Sequence, residues 1–358
     1  MAERAAKPSA ENLTGVMHNQ LFQLPDPFPL ESGQLVAGAQ VAYRTWGQLN
    51  AARDNVVWVC HALTANADVL DWWPGLFGAG CFFDPADWFI VCANVLGSCY
   101  GSTCPLSADP ATGQGRFQEF PLVTIRDMAA AHESLRQELG LAHIHTLIGG
   151  SLGGQQALEW AVSNPEVIGH LVVIATSARH SAWGIAFNEA QRLAIEADAT
   201  YHENRPGGGD AGLAAARAVA LLSYRGYEAY ANTQTDPDPE RLRGFRASSY
   251  QRYQGNKLVA RFDAYSYVVL TRAMDSHNLG RGRGGVAAAL AGIRARTLVL
   301  GITSDVLFPV SEQHALAEGI AGAVYNELDS GFGHDGFLLE TSKITQSLEL
   351  FYAAALAA

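Results

Sequence analysis

An α/β fold with a mostly parallel, doubly wound sheet is predicted by three observations on the sequence. Short, continuously apolar runs recur along the chain, the pattern of strands covered on both faces. Segments with helical spacing alternate with them, as successive parallel strands require. One such run, Ile144 to Ile148, meets a serine flanked by glycines, and a helix-forming segment follows at once.

Taken in order, residues 1–30 read as an irregular lead-in, and Val36 to Trp46 alternates as an edge strand does. Asn55 to Cys60 is a covered strand ending in His61-Ala62-Leu63-Thr64, and Trp88 to Val95 is a second, closing on Leu96-Gly97. Thr124 to Leu139 places Ile125, Met128, Ala129, His132, Leu135 and Leu139 at helical spacing and stops at Gly140. The strand before Ser151, its helix, and the run Leu171 to Ala175 complete the first part of the sheet.

The alternation breaks after Ala178. Helical patterns at Ile185–Ala197, Gly212–Leu222 and Tyr265–Met274 are separated by glycine-rich loops at 205–210 and 280–285. Strand signals resume with Thr297 to Ile302 and Ala323 to Leu328. The expected organisation is one core domain, 1–178 with 293–358, carrying a helical lid insertion at 179–292. Such an insertion lies over the strand ends, where open α/β sheets bind ligands.

Of the 358 residues, 48% are hydrophobic and 16% charged, which suits a large core and excludes general disorder. A net charge of −11 argues against nucleic acid or an anionic membrane as the main partner. An anionic substrate must therefore be met by local cations. The N-terminus has no apolar signal core and no segment is long enough to span a bilayer, so a cytoplasmic location is expected. Cys60, Cys81, Cys92, Cys99 and Cys104 form no CxxC pair and have no histidine at zinc spacing, so no metal is expected. They read as reduced thiols, mostly buried, with Cys99 and Cys104 the ones able to reach solvent.

Gly149-Gly150-Ser151-Leu152-Gly153 fits the G-x-S-x-G nucleophile elbow, which assigns the sheet to the α/β-hydrolase fold. A strand that turns sharply into a helix strains its central residue and leaves no room for neighbouring side chains. A serine hydroxyl is a weak nucleophile and needs a base, itself oriented by a carboxylate. In this fold the chain order is serine, acid, histidine, the last two on loops at strand ends. Asp305 follows the strand 297–302 and His334 follows the last strand, so both positions are filled. Asp329 is the rival acid but shares the loop of His334. His61, His143, His145 and His277 read as structural or exposed. The oxyanion hole is expected from the backbone N–H groups of Leu152 and Leu63.

Beyond these features the sequence resembles the homoserine O-acyltransferases, in particular the homoserine O-acetyltransferase family with the α/β-hydrolase fold. The likeness runs through His61-Ala62-Leu63-Thr64, Trp72-Trp73-Pro74-Gly75-Leu76, Val123 to Met128, the elbow, Ala186-Phe187-Asn188-Glu189, Arg261-Phe262-Asp263-Ala264, Leu270 to Asp275, and Gly333-His334-Asp335. It departs from the usual family pattern at Leu63-Thr64, at Leu152 and at Cys104. The resemblance implies acetyl transfer from acetyl-CoA, a donor substrate and not a resident cofactor, to the hydroxyl of homoserine for methionine biosynthesis. It implies a ping-pong route through an acyl-serine, with Ser151, Asp305 and His334 as the triad. It implies that Arg179 clamps the amino-acid carboxylate, that Asp335 meets the ammonium, and that the chain forms a homodimer through the helical insertion. Arg281 and Arg283 read as a solvated loop in preference to a coenzyme A site. The alternatives are O-succinylation of homoserine, O-acylation of serine, a plain esterase or thioesterase, and a catalytically silent binding protein of the same fold.

Overall fold

A computed structural model describes residues 19–356 of the chain. One sheet holds β1 (Gln20–Gln23), β2 (Gln40–Trp46), β3 (Val56–Cys60), β4 (Phe89–Ala93), β5 (Ile144–Gly150), β6 (Ile168–Ile174), β7 (Arg296–Ile302) and β8 (Val324–Leu328). Their spatial order is β1-β2-β4-β3-β5-β6-β7-β8. Strands β3 to β8 pair in parallel, while β2 runs antiparallel to both its neighbours. The family resemblance and the pattern of apolar runs both anticipate this sheet.

The central strands are apolar because both their faces are covered. Every residue of β3, Val-Val-Trp-Val-Cys, is buried. Alternate residues feed two cores: Val56, Trp58 and Cys60 join one face, Val57 and Val59 the other. Burying each such aliphatic side chain is worth about 1.5–3 kcal/mol against leaving it in water.

Helix α1 (Ile125–Glu138) starts on a capping box, in which the Thr124 side chain accepts from Asp127 N–H and Asp127 accepts from Thr124 N–H at 2.8 Å. It packs on α2 (Leu152–Ser163), the helix that leaves Ser151. Between β6 and β7 the chain forms α3 (Ala182–Glu196), α4 (Asp210–Tyr224), α5 (Tyr227–Gln234), α6 (Arg246–Val259) and α7 (Ala264–Asp275). Helices α3, α4 and α6 pack successively on one another.

Several expectations need correcting. The lead-in contains a strand, β1, which covers β2, so β2 is second from the edge. Leu35–Val36 is not part of β2 but pairs with Phe28–Pro29 in a separate ribbon. Helices α5 and α6 carry too few apolar residues to announce themselves; α5 buries none of its side chains. Cys99 and Cys104 are buried, and Cys81 is the thiol partly open to solvent.

Candidate active site

The strand-to-helix turn after β5 places Ser151 at φ 57° and ψ −126°, a left-handed φ that L residues rarely adopt. Neighbours hold it there. Its N–H donates to the Ile174 carbonyl at 3.0 Å, and its carbonyl accepts from Gln155 N–H and the Thr176 hydroxyl at 3.1 and 2.8 Å. At Gly153 an added Cβ would sit 2.1 Å from the Cys60 carbonyl oxygen, so α2 approaches β3 only because no side chain intervenes. The serine is 6% exposed and faces a cavity.

The loop after β7 brings Asp305 to the same rim, and the loop after β8 brings His334. Asp305 Oδ2 lies 2.7 Å from His334 Nδ1. Its other oxygen accepts from the N–H groups of Leu307 and Phe308 at 2.8 and 2.9 Å, which fixes the carboxylate plane. The imidazole stacks on Phe308, centroids 5.2 Å apart and planes at 29°, and is flanked by Phe337. With Nδ1 engaged by the carboxylate, Nε2 is left for chemistry. Asp329 lies off this arrangement, its side chain accepting weakly from the Thr303 hydroxyl at 3.5 Å.

A cavity of about 370 Å³ is walled by Ser151 and His334 together with Leu63, Arg217, Arg261 and Asp335, among others. Leu152 is the first residue of α2, so its N–H has no carbonyl one turn earlier to bind. Leu63 is buried in the cavity wall, in the loop after β3. Arg261 ties down that loop: it donates to the Thr64 carbonyl, to the Thr64 hydroxyl at 3.3 Å and to the Tyr100 hydroxyl at 2.7 Å. His61, just before it, is fully buried and pushed down to about 4 by burial, with Nε2 accepting from Val95 N–H at 3.0 Å.

Asp335 faces the cavity beside His334, with Arg225 Nε 3.2 Å from its Oδ2. Burial raises its carboxyl above the ordinary value, against the pull of Arg225 and Arg217. Arg217 comes from α4, its guanidinium 5.5 Å from the centre of the Tyr224 ring. Sequence reasoning missed it, because nothing in an alanine-rich helix tells which neighbour its arginine will face.

Arg179 is not where the resemblance led us to expect it. It is exposed, bridges Asn278 through the backbone, and is absent from the cavity wall. The loop of Arg281 and Arg283 is largely exposed, as expected, but both arginines are paired. Arg281 forks onto Glu31 at 2.8 and 2.9 Å, while Arg283 pairs with the buried Glu159. Arg126 joins the same network through Glu31 and Glu159, so the loop is pinned to α1 and α2.

Comparisons with known proteins bear on the family and the fold. A family model described as the alpha/beta hydrolase fold matches residues 55–341. A curated homoserine O-acetyltransferase of Cyclobacterium marinum is 46% identical over 341 residues, covering 95% of this chain and 97% of that protein. The crystal structure of a homoserine O-acetyltransferase from Staphylococcus aureus superposes with a TM-score of 0.77 at 31% identity, covering 94% of each chain. The crystal structure of esterase E22 superposes with a TM-score of 0.84 at 21% identity, covering 93% of this chain and 99% of that one, which is a likeness of fold.

Proposed function

We propose that this chain, which belongs to the homoserine O-acetyltransferase family of the α/β-hydrolase fold, transfers an acetyl group from acetyl-CoA to the hydroxyl of L-homoserine through an acyl-serine at Ser151. The observation that carries the reading is the 2.7 Å contact of His334 with Asp305 on the wall of the cavity that Ser151 faces.

In the first half-reaction His334 Nε2 takes the Ser151 proton as Oγ attacks the thioester carbonyl. The N–H groups of Leu63 and Leu152 hold the developing oxyanion. The C–S bond breaks, His334 returns the proton to the thiolate, and coenzyme A leaves. In the second, homoserine enters, His334 takes its hydroxyl proton, and the alkoxide attacks the acyl-serine. The C–O bond to Ser151 breaks, Oγ recovers the proton, and the O-acetyl ester departs. Asp305 keeps the imidazole in the required tautomer and stabilises its protonated form throughout.

An amino acid as acceptor needs a cation and an anion in the wall. Arg217 supplies the first in place of Arg179, and Asp335 the second. The helical segment 179–292 serves as a lid: four of its side chains, Arg217, Tyr224, Lys257 and Arg261, close one side of the cavity and keep water from the acyl-enzyme. Among the described residues no helix is long and apolar enough to cross a membrane, in keeping with a cytoplasmic enzyme of small substrates. A homodimer through the lid is supported by the exposed Leu222 and Tyr227 on α4 and α5.

The test is a mass measurement of the protein after brief exposure to acetyl-CoA, then release of coenzyme A with and without homoserine. An acetyl adduct on Ser151 whose turnover depends on homoserine is expected. Equal release with and without the amino acid identifies a thioesterase, and loading by succinyl-CoA alone identifies a succinyltransferase.

A further inference from the structure

The chain is acidic, yet one stretch is wholly cationic. Between Leu242 and Phe262 stand Arg243, Arg246, Arg252, Lys257 and Arg261, with no Asp or Glu. Helix α6 fills most of this stretch, and its rotation is fixed by contact with α4. Leu258 is buried, Gln251 Nε2 donates to the Ala218 carbonyl at 3.2 Å, and a Cβ added at Gly255 would lie 2.6 Å from the Ala214 carbonyl oxygen. With 251, 255 and 258 turned inward, Lys257 is left in solvent.

Lys257 nonetheless lines the cavity that holds Ser151, so it stands at its mouth. Arg261, just past the end of α6, lines the same cavity, half-buried. Its guanidinium donates to neutral acceptors, Thr64 and Tyr100, so its charge is not neutralised. Among the described residues neither cation forms an ion pair with a carboxylate. Among the described residues Arg217, on the same wall, also forms none, whereas arginines off the wall are paired: Arg44 with Asp68, Arg225 with Asp335, Arg192 with Asp275.

We propose that Lys257, with Arg261 behind it, is the subsite for the phosphate groups of the thioester donor. This rests on the reading that the donor is an acyl-coenzyme A, and names the residues that hold its anionic end. A polyanionic donor meets a chain of net charge −11 and is not drawn in by the overall field. At physiological salt that field is screened beyond roughly 8 Å, and on the cavity wall Arg217, Lys257 and Arg261 outnumber Asp71 and Asp335. The reactive thioester then runs inward to Ser151 while the phosphates stay where Lys257 meets water. A lysine, a point charge on a flexible stem, suits a phosphate that must bind and leave in each turnover.

The experiment compares acetyl-CoA with acetyl-pantetheine, the same thioester without phosphates, in the wild-type protein and in Lys257→Gln and Lys257→Glu. The readout is the ratio of kcat/KM for the two donors. The ratio is expected to fall by about tenfold in Lys257→Gln, the worth of one charge-assisted contact, and further in Lys257→Glu. The KM for acetyl-CoA is expected to rise with salt more steeply in the wild type than in either variant. A ratio unchanged within twofold, or a parallel loss for both donors, overturns the proposal. The wild type separates this from the enclosing reading: no coenzyme A release at all sinks both, whereas release with an unmoved ratio sinks the subsite alone.

Discussion

Two walls of one cavity are built on different principles. The floor is laid by the ends of sheet strands: Ser151 after β5, Asp305 after β7, His334 after β8. The Asp305 carboxylate is fixed by two N–H groups of its own loop, and the Ser151 backbone by Ile174 and Thr176 at the end of β6. The roof is laid by α4, by α6 and by the turn just past α6, whose side chains Arg217, Tyr224, Lys257 and Arg261 reach the cavity across long stretches of sequence. In the proposed reaction the floor makes and breaks bonds, and the roof chooses what is allowed to reach it.

The comparison is broken most severely by Ser151→Ala. Loss of kcat by about 10⁴-fold or more is expected, with the thermal midpoint unchanged, because only a hydroxyl is removed from the cavity wall. Retention of turnover would show that the floor is not the chemical half. Arg217→Ala tests the roof. The rate of acetyl loading is expected to hold within about threefold, while kcat/KM for homoserine falls by roughly 10²-fold, the cost of a two-point carboxylate contact. Equal losses in both half-reactions would place Arg217 in the floor's chemistry.

Gly153→Ala probes how tightly the floor is made. The new methyl meets the Cys60 carbonyl oxygen, and a destabilisation of about 2–3 kcal/mol is expected in urea unfolding. The smallest effect concerns acid stability. Burial pushes His61 and His180 down to about 4 and His132 and His277 to about 3. Each is neutral when folded and titrates near 6.5 when unfolded, so the unfolded chain binds the extra protons as pH falls. Stability is therefore full well above pH 6.5 and declines as pH falls below it towards the folded values. His132 sits between Trp58 and Trp160, ring centroids 6.0 Å from each, and neither nitrogen has a partner. His132→Phe is expected to stabilise the fold by about 1 kcal/mol and to remove one proton from the slope between pH 6 and 5. An unchanged slope would show that this ring titrates alike in both states.

How much of this was legible in the sequence follows the same division. The central strands were legible because a strand buried on both faces must be apolar, as Val56 to Cys60 is. The proposed floor was legible because a strained elbow demands glycines next to Ser151, and strand ends announce where loops begin. The roof was not. Helix α6 has Leu258 and Gly255 as its only buried residues, too few for a periodic signal. Arg179 stands at a strand end and was assigned to the site by chain position and resemblance, yet its bridge with Asn278 leaves it exposed. Arg281 and Arg283 read as solvated because glycines surround them, while their partners Glu31 and Glu159 lie far away in sequence.

The long helical segment that separates β6 from β7 has a consequence for biosynthesis. A ribosome delivers the elbow serine early, and a nascent polypeptide folded only as far as β6 would carry it with neither acid nor imidazole. Both come from the last two strands, which dock only after a long detour whose closure entropy grows slowly with its length. On the proposed reaction a half-made copy is therefore inert towards thioesters and esters alike, and reactivity arrives together with completion of the sheet.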